Sequence, residues 1–236
     1  MPTPKKENVT ISVSKLTQKA CTLRLIGTTP LYQNRMSAKA KQEFLVGGGK
    51  GKSKAERAHI KHDPLQEYVD AAEIVPDGPA ALGMKVIAVK AAMATAALET
   101  EGVYKTEIQR LLFMPGDLVP LYGTPHLKMD IVRQGGINKT PDIRTRPYLP
   151  KWGTEIEMRY ITPQLNLTSL FNILCNAGVL IGLGDYRQEK GKGNFGSFRV
   201  ISADEQDDEW DDLVNHHGRD AQQRALDNPM CADTDT

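Results

Sequence analysis

The residues best equipped for chemistry lie between Ile181 and Val200, which read IGLGDYRQEKGKGNFGSFRV. Five glycines, at 182, 184, 191, 193 and 196, share those positions with Arg187, Lys190, Lys192 and Arg199. Glycine permits close backbone approach and leaves amides accessible, at an entropic cost. Exposed amides, a guanidinium that forks onto two oxygens and ammonium point charges together suit an anion, phosphate above all. Gly182, Gly184, Arg187, Lys190 and Lys192 are therefore candidate phosphate contacts. Phe195 is a candidate platform for a base, whereas Phe198 belongs to the core of the strand that follows. The competing reading is architectural: the glycines shape the chain where a helix meets a sheet, and Asp185 serves as a turn or capping residue.

Two further clusters carry the same chemistry. Arg35, Lys39, Lys41, Lys50, Lys52, Lys54 and Arg57 surround GGGKGKSK at 47–54, a glycine-lysine loop. It is not a nucleotide-binding P-loop, because that pattern needs glycine five residues before Gly51 and Val46 stands there. A basic finger closing on a polyanion fits better, and a plain surface loop is the alternative. Arg133, Lys139, Arg144 and Arg146 lead into Tyr148 and Trp152. Basic side chains interleaved with aromatics suit a single-strand groove, with charge for the backbone and a π-face for bases. Trp152 reads more naturally as a core anchor at a strand entry.

Acid-base chemistry would have to come from His59, His62, His126, His216 or His217. Their spacing supports no metal site, and no cofactor is expected. If the protein cuts nucleic acid, His59 and His126 are the candidate general acid or base.

These residues must be positioned by a mixed α/β scaffold. CTLRLI at 21–26 alternates as a strand and breaks at Gly27-Thr28-Thr29-Pro30. Residues 35–43 read as a basic helix, and the charged stretch 54–72 as partly helical, with Pro64 expected to interrupt it. The alanine-rich segment Met84 to Leu98 predicts a helix, and Leu111–Met114 and Leu118–Tyr122 short strands. Lys128–Val132 reads as extended, Arg133–Arg146 as a polar connection, and Glu155–Ile161 as a strand. Leu167–Gly178 predicts a helix ending at glycine, and Ser197–Ile201 a last strand. This order predicts an α+β fold on a ferredoxin-like, RNA-recognition-type core with inserted loops and a C-terminal glycine-rich loop.

Charge divides the chain. The 236 residues carry a formal net charge of +1, but from Ala203 onward 11 acidic residues face two basic ones, leaving 28 basic against 18 acidic residues on 1–202. A basic body favours polyanions through counterion release, and an acidic tail can compete with them or recruit a protein. The expected organisation is a polar lead (1–18), a nucleic-acid-binding domain (19–202) and an acidic, disordered tail (203–236). Three scattered cysteines, Cys21, Cys175 and Cys231, support neither a disulfide framework nor a zinc ribbon. The N-terminus lacks a signal-peptide apolar region and no stretch is long and apolar enough to span a bilayer, so a cytoplasmic protein is expected.

The glycine pattern GLGxxxxxxGxxxFGxF running into a final strand, together with an opening strand that breaks into GTTPL, resembles the RAMP superfamily of CRISPR-associated proteins. The match covers about residues 20–35 and 165–201. The segment RTRPYLPKW with IGLGDYRQEKG is also similar to a group of uncharacterised phage proteins. The resemblance implies a modified RNA-recognition fold that binds single-stranded RNA, and a place in the cytoplasm of an infected host. The expected function is nonenzymatic binding of single-stranded DNA or RNA, with copies side by side as a homo-oligomer or filament along the strand. A metal-independent RNA-processing endonuclease of the same fold is the second expectation. An interaction protein that copies a CRISPR subunit is the third.

Overall fold

The computed structural model describes residues 13–36, 63–133, 141–190 and 193–232. The expected basic helix at 35–43, beyond its first two residues, and the glycine-lysine loop at 47–54 lie outside them.

The main sheet is built on β1 (Thr17–Gly27), which pairs antiparallel with β8 (Gly153–Thr162) on one side and β9 (Phe198–Ser202) on the other. Next to β8 runs β5 (Leu118–Tyr122), with β3 (Leu82–Lys85) at the far edge, and the short β4 (Leu112–Phe113) pairs with β8 beside it. Two helices cross over: α2 (Val86–Ala96) precedes β5, and α4 (Leu167–Leu180) joins β8 to β9. The unit β1-α2-β5-β8-α4-β9, with spatial order β9-β1-β8-β5, is the ferredoxin-like arrangement.

Alternation along the strands explains the layers. Leu23, Leu25, Ile156, Met158, Phe198 and Val200 turn to one face and form the core with Val89 and Met93 of α2 and Leu170 and Leu174 of α4. Burying these side chains, at roughly 25 cal/mol per Å² of apolar surface, holds helices and sheet together. Trp152 is a core residue, as expected, and its indole Nε1 donates to Thr29 O at 2.8 Å.

A second, smaller sheet has the order β2-β7-β6, from β2 (Leu31–Tyr32), β7 (Pro141–Leu149) and β6 (His126–Arg133). In place of the expected polar connection at 133–146, Arg133 ends β6 and residues 141–146 belong to β7, with 134–140 outside the described residues. The β6–β7 register pairs Lys128 with Arg146 and Asp130 with Arg144, so a segment that looks like a basic coil is half of a ladder. Helix α1 (Pro64–Ala71) packs on it. Pro64 opens this helix instead of interrupting one: Asp63 caps it by accepting from Gln66 N, and a first-turn proline gives up no intrahelical bond. Helix α3 (Lys105–Leu111) is an addition to the elements expected from the sequence.

The largest correction concerns the C-terminal region. Residues 203–236 do not form a disordered tail over their described part: α5 (Asp208–His216) and α6 (Arg219–Asp227) are folded against the sheet. Trp210 and Leu213 are buried with Ile26, Ala80, Tyr122 and Ile201 on the face opposite α2 and α4. Charge counting hides an amphipathic helix here, because its apolar stripe is only two or three residues wide beside four carboxylates.

Candidate nucleic-acid interface

The glycine loop is built tightly. Gly182, Gly184 and Gly196 all take positive φ, at +73°, +76° and +74°. Several amides of the loop are used within the fold: Gly182 N donates to Ala177 O, Leu183 N to Gly196 O, Asp185 N to Tyr32 O and Gly196 N to Pro30 O, at 2.8–3.1 Å. Of the two candidate glycines, Gly182 thus has its amide engaged at the end of α4. Arg187 curls back as well, its Nε donating to Glu189 at 2.8 Å and its Nη1 to Gly184 O at 3.2 Å. A partly exposed pair of this kind is weak and open to exchange for a better anion. Lys190 ends the short 3-10 turn Gln188–Lys190, and its side chain, like Lys192, lies outside the described residues.

Arg146 departs furthest from expectation. Only 2% of its side chain is exposed, so it offers nothing to a ligand. Its guanidinium donates to Asp130 at 2.7 Å and to Asp185 at 2.6 Å, and lies between the rings of Tyr32 and Tyr186 at 4.9 and 4.5 Å from their centroids. Burial favours the neutral form, but hydrogen bonds to Tyr186 and Asp130 outweigh it and hold the pKa above the usual arginine value. Arg146 thus locks the hairpin to the glycine loop. Asp185, read from sequence as a turn residue, bonds the Tyr186 amide, Asn34 and Arg146.

Around this lock lies a partly exposed aromatic edge. Tyr148, Tyr186 and Phe195 are half-buried and surround Tyr32, whose ring meets all three edge to face at 5.0–5.6 Å. Lys128 Nζ sits 4.8 Å from the Tyr148 ring centroid. Directly opposed residues of an antiparallel pair share a face, so His126, Lys128, Asp130, Arg144, Arg146 and Tyr148 all lie on one side of the hairpin. His126 is opposite Tyr148, and burial pushes its pKa below the ordinary value, so it is neutral at pH 7.

The remaining expected contacts are spread out. Arg144 is exposed, one ladder step beyond Arg146. Arg133 ends β6 with its side chain outside the described residues. Arg35 lies elsewhere, with Nε 3.8 Å from Glu73, a carboxylate it shares with Lys85. Lys39, Lys50, Lys52, Lys54, His59 and Lys139 are outside the described residues. Among those described, no cluster of three or more His, Cys, Asp or Glu side chains could hold a metal ion, and no helix is long and apolar enough to cross a membrane.

Sequence reading misses Lys128, Tyr186 and Tyr32. The available signal is period two: Arg144, Arg146 and Tyr148 are spaced for one face of a strand, and so are His126, Lys128 and Asp130.

The sheet face that RNA-recognition folds leave open is unlike this edge. Its uncovered part carries Gln18, Ala20, Thr22, Glu157 and Arg159, with Arg159 donating to Glu157 at 2.7 Å, and the exposed ring of Phe113 on β4, directly opposite Arg159. Its other end lies under α5.

No family model matches the chain, and no curated protein matches it. Among solved structures it is similar to a chain of "Cryo-EM structure of the Type III-B Cmr-beta bound to cognate target RNA", at 13% identity and a TM-score of 0.38, over 78% of this chain. The match spans 62% of that chain, less than two thirds of its length. At this level the likeness adds nothing to the topology, which alone carries the assignment of the ferredoxin-like fold.

Proposed function

We propose that this protein binds single-stranded nucleic acid without cutting it, along the edge where the glycine loop meets the β6–β7 hairpin. The observation that carries the reading is the convergence of three half-buried aromatic rings, Tyr148, Tyr186 and Phe195, with Lys128 and Arg144 on one side of a rigid lock. Rings accept any base by stacking and cations follow the backbone, so the expected binding is tolerant of sequence and sensitive to salt. Arg187, Lys190 and Lys192 extend the positive edge along the loop, and Lys39, Lys50, Lys52 and Lys54 belong to the same reading as a basic finger. Copies aligned along one strand, in the cytoplasm of a phage-infected host, complete the proposal.

The test is fluorescence anisotropy with labelled single-stranded DNA, single-stranded RNA and duplex at several salt concentrations, the same samples being run on a denaturing gel. We expect salt-sensitive single-strand binding and intact oligonucleotide. Lys128→Ala with Arg187→Ala should weaken it and reduce the magnitude of the salt slope by about 0.7 for each phosphate that is no longer neutralised. Phe195→Leu should cost about 1–3 kcal/mol of binding if that ring stacks on a base. Folded variants with unchanged affinity would reject the site.

One observation favours the endonuclease as a second reading: His126, neutral at pH 7, shares the hairpin face with Tyr148 and Lys128. Cleavage on the gel that disappears in His126→Gln would establish it. An absence of binding to every probe would point to a protein partner.

A further inference from the structure

We propose that α5 is a built-in stand-in for nucleic acid, screening the sheet's basic end so that strands are directed to the glycine-loop edge. This rests on the binding function proposed above. The face opposite the core helices presents Arg24 on β1 and Arg199 on β9, with Lys151 in the turn between β7 and β8. A guanidinium pair of this kind beside a sheet is what a polyanion would seek. Each cation is already engaged. Asp207 takes Arg199 through both carboxylate oxygens, at 2.9 and 2.7 Å, and Glu209 takes it at 2.7 Å. Asp212 takes Lys151 at 3.3 Å. Arg24 Nη1 donates to Glu205 O at 3.0 Å while its Nε holds Glu155 at 2.9 Å.

The ring in the middle completes the likeness. Trp210 lies under the Arg24 guanidinium, 5.0 Å from carbon to ring centroid, and meets Tyr122 edge to face at 5.4 Å. Carboxylates on cations and an indole stacked by an arginine reproduce the contacts a short stretch of single strand would make there. The helix pair stays docked because Gln222 of α6 accepts from the amides of Ala81 and Leu82 and donates to the carbonyls of Leu121 and Gly123, all at 2.7–3.0 Å and fully buried. The device is thus a fixed electrostatic screen, whose strength lies in its carboxylates.

Asp207→Asn, Glu209→Gln and Asp212→Asn together remove the screen and keep the helix, since asparagine at 207 still accepts from Trp210 N as the N-cap. With single-stranded DNA and RNA probes at low salt, the triple variant should bind about tenfold more tightly than wild type. Its salt slope should be steeper by about 1–2, as Arg199 and Lys151 each become free to neutralise a phosphate. Adding Arg199→Gln with Lys151→Gln, the two cations those carboxylates engage, should return both to wild-type values. A control that gains the same net charge elsewhere, Glu99→Gln with Glu101→Gln and Asp117→Asn, should change affinity by less than about twofold.

If wild type binds and the folded triple variant binds no better, the screen is overturned. It is equally overturned if the gain survives Arg199→Gln with Lys151→Gln or appears in the control. If wild type and the triple variant both fail to bind, the binding function itself falls, and the screen with it.

Discussion

Arg146 shows how a residue chosen for its charge can serve cohesion instead of recognition. Its two carboxylate partners come from different elements, Asp130 from the hairpin and Asp185 from the glycine loop, and two tyrosine rings exclude water from its faces. Removing such a cation strands the acids it neutralised, and breaking a buried pair costs about 3–5 kcal/mol. Both carboxylates keep some solvent contact, so we expect Arg146→Ala to destabilise by about 3 kcal/mol, the lower end of that range. Thermal unfolding should show a fall of about 6–12 °C. Arg146→Lys should rescue little of it, because a point charge cannot fork onto two acids held in a fixed plane. A melting temperature unchanged in Arg146→Ala would mean that the lock contributes nothing.

At the scale of elements, the glycine loop's conformation is a requirement of packing as much as of binding. Gly196 at φ +74° donates to Pro30 O and accepts from Leu183 N, and a β-carbon there would collide with Leu183 O. Gly196→Ala should therefore combine about 1–2 kcal/mol of left-handed strain with a backbone clash, for a total near about 3 kcal/mol. Circular dichroism melts would check this, and a shift below about 2 °C would contradict it. The elements that can be read from sequence are those with strong local periodicity: α2, α4, β8 and β9 emerge close to their observed bounds, and β1 by its C-terminal half, because alanine runs and strict alternation speak for themselves. The β6–β7 hairpin is not legible in the same way. Arg144, Arg146 and Lys128 look solvated one at a time, and only pairing across the ladder and burial against Tyr32 give them a face. In the candidate site, Tyr148 and Phe195 are therefore visible from composition, while Lys128 and Tyr186 require three-dimensional proximity.

For the whole molecule, the acidic C-terminal region is a structural layer. Trp210, Leu213, Ala225 and Leu226 are buried, Gln222 bonds β3 and β5, and Arg219 reaches the carbonyls of Val75, Gly78 and Ala80. Even Leu127 at the base of the hairpin exchanges backbone hydrogen bonds with Met230 and Ala232. Deleting residues 203–236 should consequently remove most of the stability, because losing one large core side chain typically costs about 2–5 kcal/mol and the whole domain holds about 5–15. We expect the truncated chain to be insoluble or to lack a cooperative thermal transition. A soluble 1–202 fragment with a sharp melt would show that the layer is dispensable.

The pairing of β1 has a consequence in time. This strand lies inside the sheet, between β8 and β9, yet Thr17 meets Thr162 and Leu23 meets Ser202. During synthesis it emerges ahead of both neighbours, and neither ladder can close until the ribosome has passed most of the chain. Contacts this distant in sequence make for slow folding. Until then a strand bearing Leu23, Leu25 and Ile26 must wait with both edges unpaired, as a template for the wrong partner.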